Sequence, residues 1–133
     1  MKNIRIGFGY DIHKLQDGCS IKLAGIEIKS KYSIDAHSDG DIVLHSLSDA
    51  IYGSLADGDI GIHFPSNNQN KNIDSKYILN HAYNLLKTRK YEINNIDITI
   101  ILESPKLQDK IMNMRKSLSN LLSIDISQIS IEN

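Results

Sequence analysis

The hydrophobic period of this chain changes repeatedly between two residues and about 3.6 residues, and this alternation restricts the fold more than any other feature. Apolar and polar residues alternate, as in strands, over residues 4–8, 21–28, 96–102 and 124–131. Apolar residues recur at helical spacing over residues 38–55, 74–88 and 107–122. Because strand-like and helix-like segments alternate, we expect an α/β or α+β fold.

Local signals place the ends of these elements. Ser38 and Asp41 form a Ser-x-x-Asp pattern that predicts a capping box at the start of the first helix. Asp74 or Ser75 can cap the second helix, and Pro105 ends the strand before the third. The polar residues 66–72 lack periodicity and predict a loop.

Length and charge exclude several classes of protein. A chain of 133 residues is long enough for one domain and too short for two. Fifteen basic against sixteen acidic residues give a net charge of −1, which does not favour nucleic acid as a partner. One cysteine, Cys19, excludes an intrachain disulfide. No signal, transit or membrane-spanning segment is recognised, so a cytoplasmic protein is expected.

Three residues suggest a metal site. Asp11 and His13 lie two apart at the end of an apparent strand, so their side chains point to one face. In the first helix Asp41, His45 and Asp49 are spaced four apart. One carboxylate and two imidazoles suit zinc with an open fourth position, and Asp49 is a candidate to hold a far imidazole nitrogen. A helix histidine paired with carboxylates in solvent is the alternative.

A second group of residues suggests an anion site. Residues 36–41 open the first helix, where Ser38 and free backbone N–H groups can bind phosphate and His37 adds a donor. The glycine-bearing residues 57–65 can bring their backbone close to a ligand. The alternative is an ordinary helix cap and an ordinary turn, which each segment taken alone favours. His63 and His81 are interpreted as surface or core-edge residues.

Several motifs in order resemble those of the 2-C-methyl-D-erythritol 2,4-cyclodiphosphate synthases. The resemblance runs from Ile4 to Ile131. The motifs are Gly9-Tyr10-Asp11-Ile12-His13, then His37-Ser38-Asp39-Gly40-Asp41 continuing to His45 and Asp49, then Gly58-Asp59-Ile60-Gly61 with Phe64-Pro65, and finally Ile96-Asp97-Ile98-Thr99-Ile100-Ile101 before Ser104-Pro105-Lys106-Leu107.

The resemblance implies a metal-dependent phosphorus–oxygen lyase of non-mevalonate isoprenoid biosynthesis. Its substrate is 4-diphosphocytidyl-2-C-methyl-D-erythritol 2-phosphate, whose 2-phosphate attacks the β-phosphate to form a cyclic diphosphate while CMP leaves. The implied fold is a single domain over residues 1–133, with a mixed β-sheet, helices packed on one face, and a homotrimer with active sites between subunits.

The resemblance also implies roles for individual residues. The implied zinc ligands, which also contact substrate, are Asp11, His13 and His45. His37, as the catalytic group, and Ser38 steady the phosphates. The loop holding the erythritol part contains Asp59, Ile60, Gly61, Phe64 and Pro65. The cytidine-diphosphate pocket contains Ser104, Pro105, Lys106 and Leu107.

The sequence departs from the family in two places. Ser66-Asn67-Asn68 replaces the usual Asp-Thr-Asp after Phe-Pro. The family's Thr-Thr-Glu segment, glycine-rich loop and last strand, which include the Glu that ligates a second divalent ion, magnesium or manganese, do not follow Ile131. If that difference is real, weak stability and little or no catalysis are expected. The alternatives are a metal-dependent phosphoesterase and a non-catalytic metal- or nucleotide-binding remnant.

Overall fold

The computed structural model describes residues 3–133, and within that range strands and helices are mixed. The strands are β1 (Lys14–Asp17), β2 (Ser20–Leu23), β3 (Ile26–Lys29), β4 (Tyr32–Asp35), β5 (Ile96–Thr99) and β6 (Ile129–Glu132). The helices are α1 (Ile42–Ser54), α2 (Ile60–His63), α3 (Ser75–Thr88) and α4 (Ile111–Leu122), with short 3-10 turns at 68–70, 108–110 and 126–128. The α+β class is confirmed.

Within the described part of the chain, the strands pair in three two-stranded ladders. β1 is antiparallel to β4, β2 is antiparallel to β3, and β5 is parallel to β6. The β2–β3 connection consists of Ala24 and Gly25, with φ values of 55° and 80°. Positive φ at both positions is typical of the type I′ turn that suits a two-residue hairpin, so the strand-like alternation over residues 21–28 belongs to a β-hairpin.

The core lies between the helices and the inner faces of the strands. α1 packs along α3, and Tyr52, Leu44 and Ala82 from these helices are completely buried. Leu118 and Leu122 of α4 and the β-hairpin side chains join the same apolar cluster. One cluster shared by all these elements holds α1, which carries His45, in a fixed position.

The strand expected over residues 4–8 is wrong, because residues 3–13 form no strand in the structure. The alternation in the sequence has another cause. Cβ atoms added at Gly7 and Gly9 would lie 1.8 and 1.7 Å from the carbonyl oxygens of Ala50 and Ser46, so the glycines lie directly on α1. Ile4, Ile6 and Phe8 face outward and are 92%, 88% and 83% exposed.

Helix boundaries differ from expectation at two starts. α1 begins at Ile42 with Asp41 as its N-cap, so the capping box at Ser38 is wrong. Asp41 caps the helix instead of Ser38, because its buried carboxylate also accepts hydrogen bonds from the turn of the β2–β3 hairpin. α3 begins after the cap Asp74, as the sequence indicates. A 3-10 turn precedes α4, which begins at Ile111 rather than near residue 107. β1 and β4 were not anticipated.

Among residues 3–133, no helix has both the length and the apolar character needed to span a bilayer.

Candidate metal centre and active site

Asp11, His13 and His45 converge at one point of the structure. Asp11 and His13 lie at the end of the segment 3–13 that packs on α1, just before β1. His45 lies in the first turns of α1. Asp11 Oδ2 is 3.0 Å from His13 Nε2 and 3.1 Å from His45 Nδ1. One ligand atom from each residue can be chosen so that all three lie within 4.8 Å of one another. This geometry suits a single cation.

The polar atoms of the cluster also fit a cation. His13 Nε2 is buried and makes no hydrogen bond within the described residues, although Asp11 Oδ2 lies 3.0 Å from it, and such a group is costly unless another partner satisfies it. The Asp11 and His13 side chains are 22% and 24% exposed, whereas His45 is 11% exposed. The cluster is therefore open to solvent on the side of Asp11 and His13 and closed behind His45. A ligand could reach a bound ion from the open side.

The far nitrogen of His45 is held by residues other than the one expected. His45 Nε2 lies 2.7 Å from Ser75 Oγ and 3.0 Å from Ser38 Oγ. The Ser75 hydroxyl donates to the carboxylate of Asp39, and the Ser75 N–H donates to the other Asp39 oxygen at 3.0 Å. Burial alone would raise the pKa of Asp39, but these hydrogen bonds outweigh burial and lower it.

Asp49 is not the partner of His45 Nε2, so the expectation that it holds this nitrogen is wrong. Asp49 Oδ1 accepts a hydrogen bond of 2.9 Å from the N–H of Ile60. Burial raises the pKa of Asp49, and the nearby charges of Asp59 and Asp11 raise it further. Asp49 thus ties α1 to the loop that begins at residue 57, beside the cluster.

Asp41 faces away from the cluster, although its spacing from His45 suggested a shared face. Its carboxylate is fully buried and accepts hydrogen bonds from Ala24 (2.9 Å), Gly25 (2.7 Å) and Leu44 (3.0 Å) N–H groups. Burial raises its pKa to about 6, against the opposing effect of these hydrogen bonds. Because Asp41 already occupies the N–H of Leu44, a phosphate would have to use other donors at this helix end.

His37 lies on the exposed side of the same segment. Its Nε2 is 3.0 Å from the carbonyl oxygen of Asn67, and its own carbonyl accepts the N–H of Asn72 at 2.9 Å. Asn67 caps the following 3-10 turn through its side chain. The structure therefore brings Ser38 to His45 and places His37 against the neighbouring loop.

The loop at residues 57–65 is supported from beneath. Asp59 is exposed and caps α2 by accepting the N–H of Ile62 at 3.1 Å. Gly61 is also exposed. The ring of Phe64 meets the edge of His81, with centroids 5.2 Å apart, and the Pro65 carbonyl accepts from Asn70 at 2.7 Å.

His63 and His81 occupy the core edge beside Tyr52. The His63 ring stacks on Tyr52 with centroids 4.2 Å apart, and the Tyr52 hydroxyl lies 2.7 Å from His81 Nδ1. Burial lowers the pKa of His81. These contacts support the loop and lie outside the three-residue cluster.

The segment at residues 104–107 is divided between surface and core. Ser104 and Lys106 are exposed and Pro105 is half-buried. The Leu107 side chain is fully buried in the core, so it can offer a ligand only its backbone.

Sequence reasoning missed the roles of Ser75 and Asp39. Ser75 lies thirty residues after His45 and reads only as a helix start. Asp39 belongs to a recognised motif, but nothing in its spacing connects it with Ser75. The contact depends on how α3 packs on α1, which periodicity does not reveal.

The fold and the cluster together define a small α+β domain with a partly exposed cluster of one carboxylate and two imidazoles that could hold a metal ion. Comparison with known proteins gives the family. Residues 4–133 match the YgbB family, and the chain belongs to it.

The similar proteins agree with one another in name. A 2-C-methyl-D-erythritol 2,4-cyclodiphosphate synthase of Acinetobacter baylyi is 48% identical over 97% of this chain and 80% of the relative. One of Francisella tularensis subsp. novicida is 49% identical over 98% and 83%.

Solved structures show the same fold. A CDP-bound 2C-methyl-D-erythritol-2,4-cyclodiphosphate synthase superimposes with a TM-score of 0.87 at 32% identity, covering 96% of this chain and 86% of that one. A CDP complex of IspF from Plasmodium falciparum gives 0.84 at 39% identity, covering 97% and 80%.

Proposed function

We propose that this chain converts 4-diphosphocytidyl-2-C-methyl-D-erythritol 2-phosphate to 2-C-methyl-D-erythritol 2,4-cyclodiphosphate and CMP in isoprenoid biosynthesis. The names of relatives with nearly half their residues in common support this activity. The observation that carries it is the convergence of Asp11, His13 and His45 at an open surface site. That site lies beside the loop at residues 57–65.

We further propose that the cation is zinc. Two imidazole nitrogens and a carboxylate oxygen form a set that zinc accepts, with a fourth position left for a ligand oxygen. Zinc bound there would supply Lewis-acid stabilisation of phosphate charge and a template that orients the phosphates. Asp11, His13 and His45 are the residues that would hold it.

The residues of the chain contribute mainly by positioning. An oxygen of the 2-phosphate forms a bond to the β-phosphorus, and the bond from that phosphorus to the CMP oxygen breaks, so CMP leaves with the bonding electrons. The attacking oxygen is anionic near neutral pH and needs no strong general base. Holding the folded-back conformer removes much of the entropic barrier. Hydrogen-bond donors reduce the repulsion between the two phosphates.

Three groups of residues contact three parts of the substrate in this proposal. His37 and Ser38 face the phosphates in this proposal, and His37 stabilises charge in the transition state. The erythritol part contacts Asp59, Ile60, Gly61, Phe64 and Pro65. The cytidine diphosphate contacts Ser104, Pro105, Lys106 and the backbone of Leu107. The tie from Asp49 to Ile60 supports this assignment because it fixes the loop relative to the helix that carries His45.

We propose a homotrimer with the active sites between subunits. An exposed row of apolar side chains supports association. Tyr10 and Ile12, which are 66% and 74% exposed, extend the row that begins at Ile4, Ile6 and Phe8. Contiguous apolar surface of this kind is typical of protein interfaces.

A product analysis tests the activity. The purified chain with zinc and substrate should give equal amounts of CMP and the cyclic diphosphate by phosphorus NMR, without incorporating oxygen from labelled water. Linear phosphates containing the label would identify a phosphoesterase instead. CDP binding by calorimetry without any product would identify a non-catalytic binding module.

A further inference from the structure

The Asp39 carboxylate, which lies behind His45, can only accept hydrogen bonds. Asp39 accepts from the N–H of Ser75, from the N–H of Asp41 at 3.2 Å and from the Ser75 hydroxyl. Lys22 Nζ lies 3.8 Å from the same carboxylate. An ionised carboxylate has no hydrogen to donate. The Ser75 hydroxyl must therefore be the donor in its contact with Asp39.

This direction determines what Ser75 offers to His45. A hydroxyl has one hydrogen, and in Ser75 that hydrogen is committed to Asp39. At 2.7 Å from His45 Nε2, the Ser75 oxygen can then only accept, so Nε2 must carry the hydrogen. The reverse arrangement would place a bare carboxylate oxygen against a bare hydroxyl lone pair in a buried position, since Ser75 is fully buried.

The other ring nitrogen is consequently a lone pair. A neutral imidazole with hydrogen on Nε2 presents Nδ1 as an acceptor. That lone pair lies 3.1 Å from Asp11 Oδ2, which is also an acceptor. Two acceptors at this distance repel each other unless a proton or a metal cation lies between them. The direction of the hydrogen bonds therefore prepares the cluster for a metal ion.

We propose that Asp39 and Ser75 are positioning residues that hold His45 in the Nε2–H tautomer and so make Nδ1 a ready metal ligand. This inference rests on the proposed metal site. Ser38 also lies near Nε2, but no carboxylate within residues 3–133 fixes its hydroxyl hydrogen, so this hydroxyl can donate or accept and imposes no direction. α3 thereby contributes to the metal centre through Ser75, its first residue, without contacting the ion.

Nitrogen-15 NMR of the imidazole groups in the metal-free full chain tests the tautomer. The wild type should show His45 almost entirely as the Nε2–H form. Ser75→Ala should give a mixture of tautomers. Asp39→Asn should do the same, because its amide can donate to Ser75 and release the hydroxyl to donate to His45. Ser75→Thr keeps the hydroxyl and should restore the wild-type form.

A zinc titration against a chelator gives the second readout. Ser75→Ala and Asp39→Asn should weaken zinc binding by about 10- to 100-fold, as losses of outer hydrogen bonds to ligating histidines do. Ser48→Ala is the matched control. Ser48 is equally buried, but its hydroxyl donates to the Leu44 carbonyl within α1, at 2.7 Å, so this variant should bind zinc as the wild type does.

The outcomes separate this inference from the proposed function. An unchanged His45 tautomer in folded Ser75→Ala and Asp39→Asn, or an Nδ1–H form in the wild type, overturns the inference whether or not zinc binds. Loss of zinc affinity to the same extent in Ser48→Ala also overturns it, because the effect would then be general destabilisation. A wild type with the Nε2–H form but no affinity for zinc would leave the hydrogen-bond relay intact and remove the proposed metal function.

Discussion

At the scale of single residues, His45 connects the surface cluster with the interior. Its Nδ1 faces Asp11, and its Nε2 faces the hydroxyls of Ser38 and Ser75. The Ser75 hydroxyl in turn donates to the partly buried carboxylate of Asp39. Few other side chains could make both contacts, because both need a ring with a nitrogen on each side. The chemistry of the site therefore depends strongly on this one residue.

Replacing His45 by alanine should remove zinc and turnover together. The expected loss of zinc affinity is at least about 100-fold, since a direct ligand matters more than an outer hydrogen bond. Metal content after dialysis and CMP release are the measurements. His81→Ala, which removes a histidine outside the cluster, should keep its zinc. Full turnover by metal-free His45→Ala would contradict this assignment.

Asp41 should make the protein less stable as pH rises. Its pKa is raised from 3.8 to about 6 in the folded state, so the folded state favours the protonated form. Protonated Asp41 contributes to the free energy of unfolding in full below about pH 4. This contribution is lost as pH rises through 6, a change on the order of 2 to 3 kcal/mol.

Urea unfolding from pH 4 to 7.5 checks the sign. The free energy of unfolding of wild type minus that of Asp41→Asn should fall across this range, because the amide does not titrate. A difference that is constant or rises with pH would show that the hydrogen bonds from Ala24, Gly25 and Leu44 outweigh burial.

At the scale of elements, the segment at residues 3–13 depends on glycine to reach its position on α1. A Cβ at Gly9 would lie 1.7 Å from the Ser46 carbonyl oxygen. Gly9→Ala should therefore push the segment off the helix, move Asp11 and His13, and weaken zinc binding. The expected cost in stability is about 1 to 3 kcal/mol, typical of overpacking.

Gly53→Ala is the control for that variant. Gly53 lies in α1 and a Cβ there would come no closer than 4.0 Å to its nearest neighbour, the Phe8 carbonyl oxygen. Alanine at this position should leave the free energy of unfolding unchanged or raise it by up to about 1 kcal/mol, because alanine has a higher helix propensity than glycine. Equal zinc affinities in Gly9→Ala and Gly53→Ala would contradict the role given to the glycine contact.

Periodicity predicted long elements well and failed where tertiary contacts decide. The ends of α3 were predicted within a residue because Asp74 caps an amphipathic segment. The Ile4–Phe8 alternation predicted a strand. In the structure it arises because Gly7 and Gly9 pack against α1 while the alternating apolar side chains face outward. β1 and β4 were missed because they are short and show little contrast between two faces: β1 is exposed throughout, and β4 is mostly half-buried.

The site was predictable only in part. The sequence singled out Asp11, His13 and His45, and the structure brings them together. It misassigned Asp49 and Asp41, because four-residue spacing fixes a side of the helix but not which neighbour a carboxylate meets. Ser75 could not be found, since its contact with His45 depends on the packing of two helices.

At the scale of the whole molecule, the exposed apolar row on residues 4–12 should mediate self-association. Light scattering at about ten micromolar chain should give the mass of a trimer. Phe8→Asp places a charge in the row and should give a monomer, because burying an unpaired charge is costly. Met112→Asp, at an exposed apolar position on α4, is the control and should remain a trimer. A monomeric wild type would contradict the trimer, and a trimeric Phe8→Asp would place the interface elsewhere.

The most direct test of the account is X-ray absorption at the zinc edge of the full chain loaded with one equivalent of zinc. We predict a four-coordinate ion with two imidazole nitrogens at about 2.0–2.1 Å and carboxylate oxygen at about 2.0–2.2 Å, and loss of one imidazole in His13→Ala. A spectrum without imidazole scattering, or one unchanged by His13→Ala, would contradict a metal centre built from Asp11, His13 and His45.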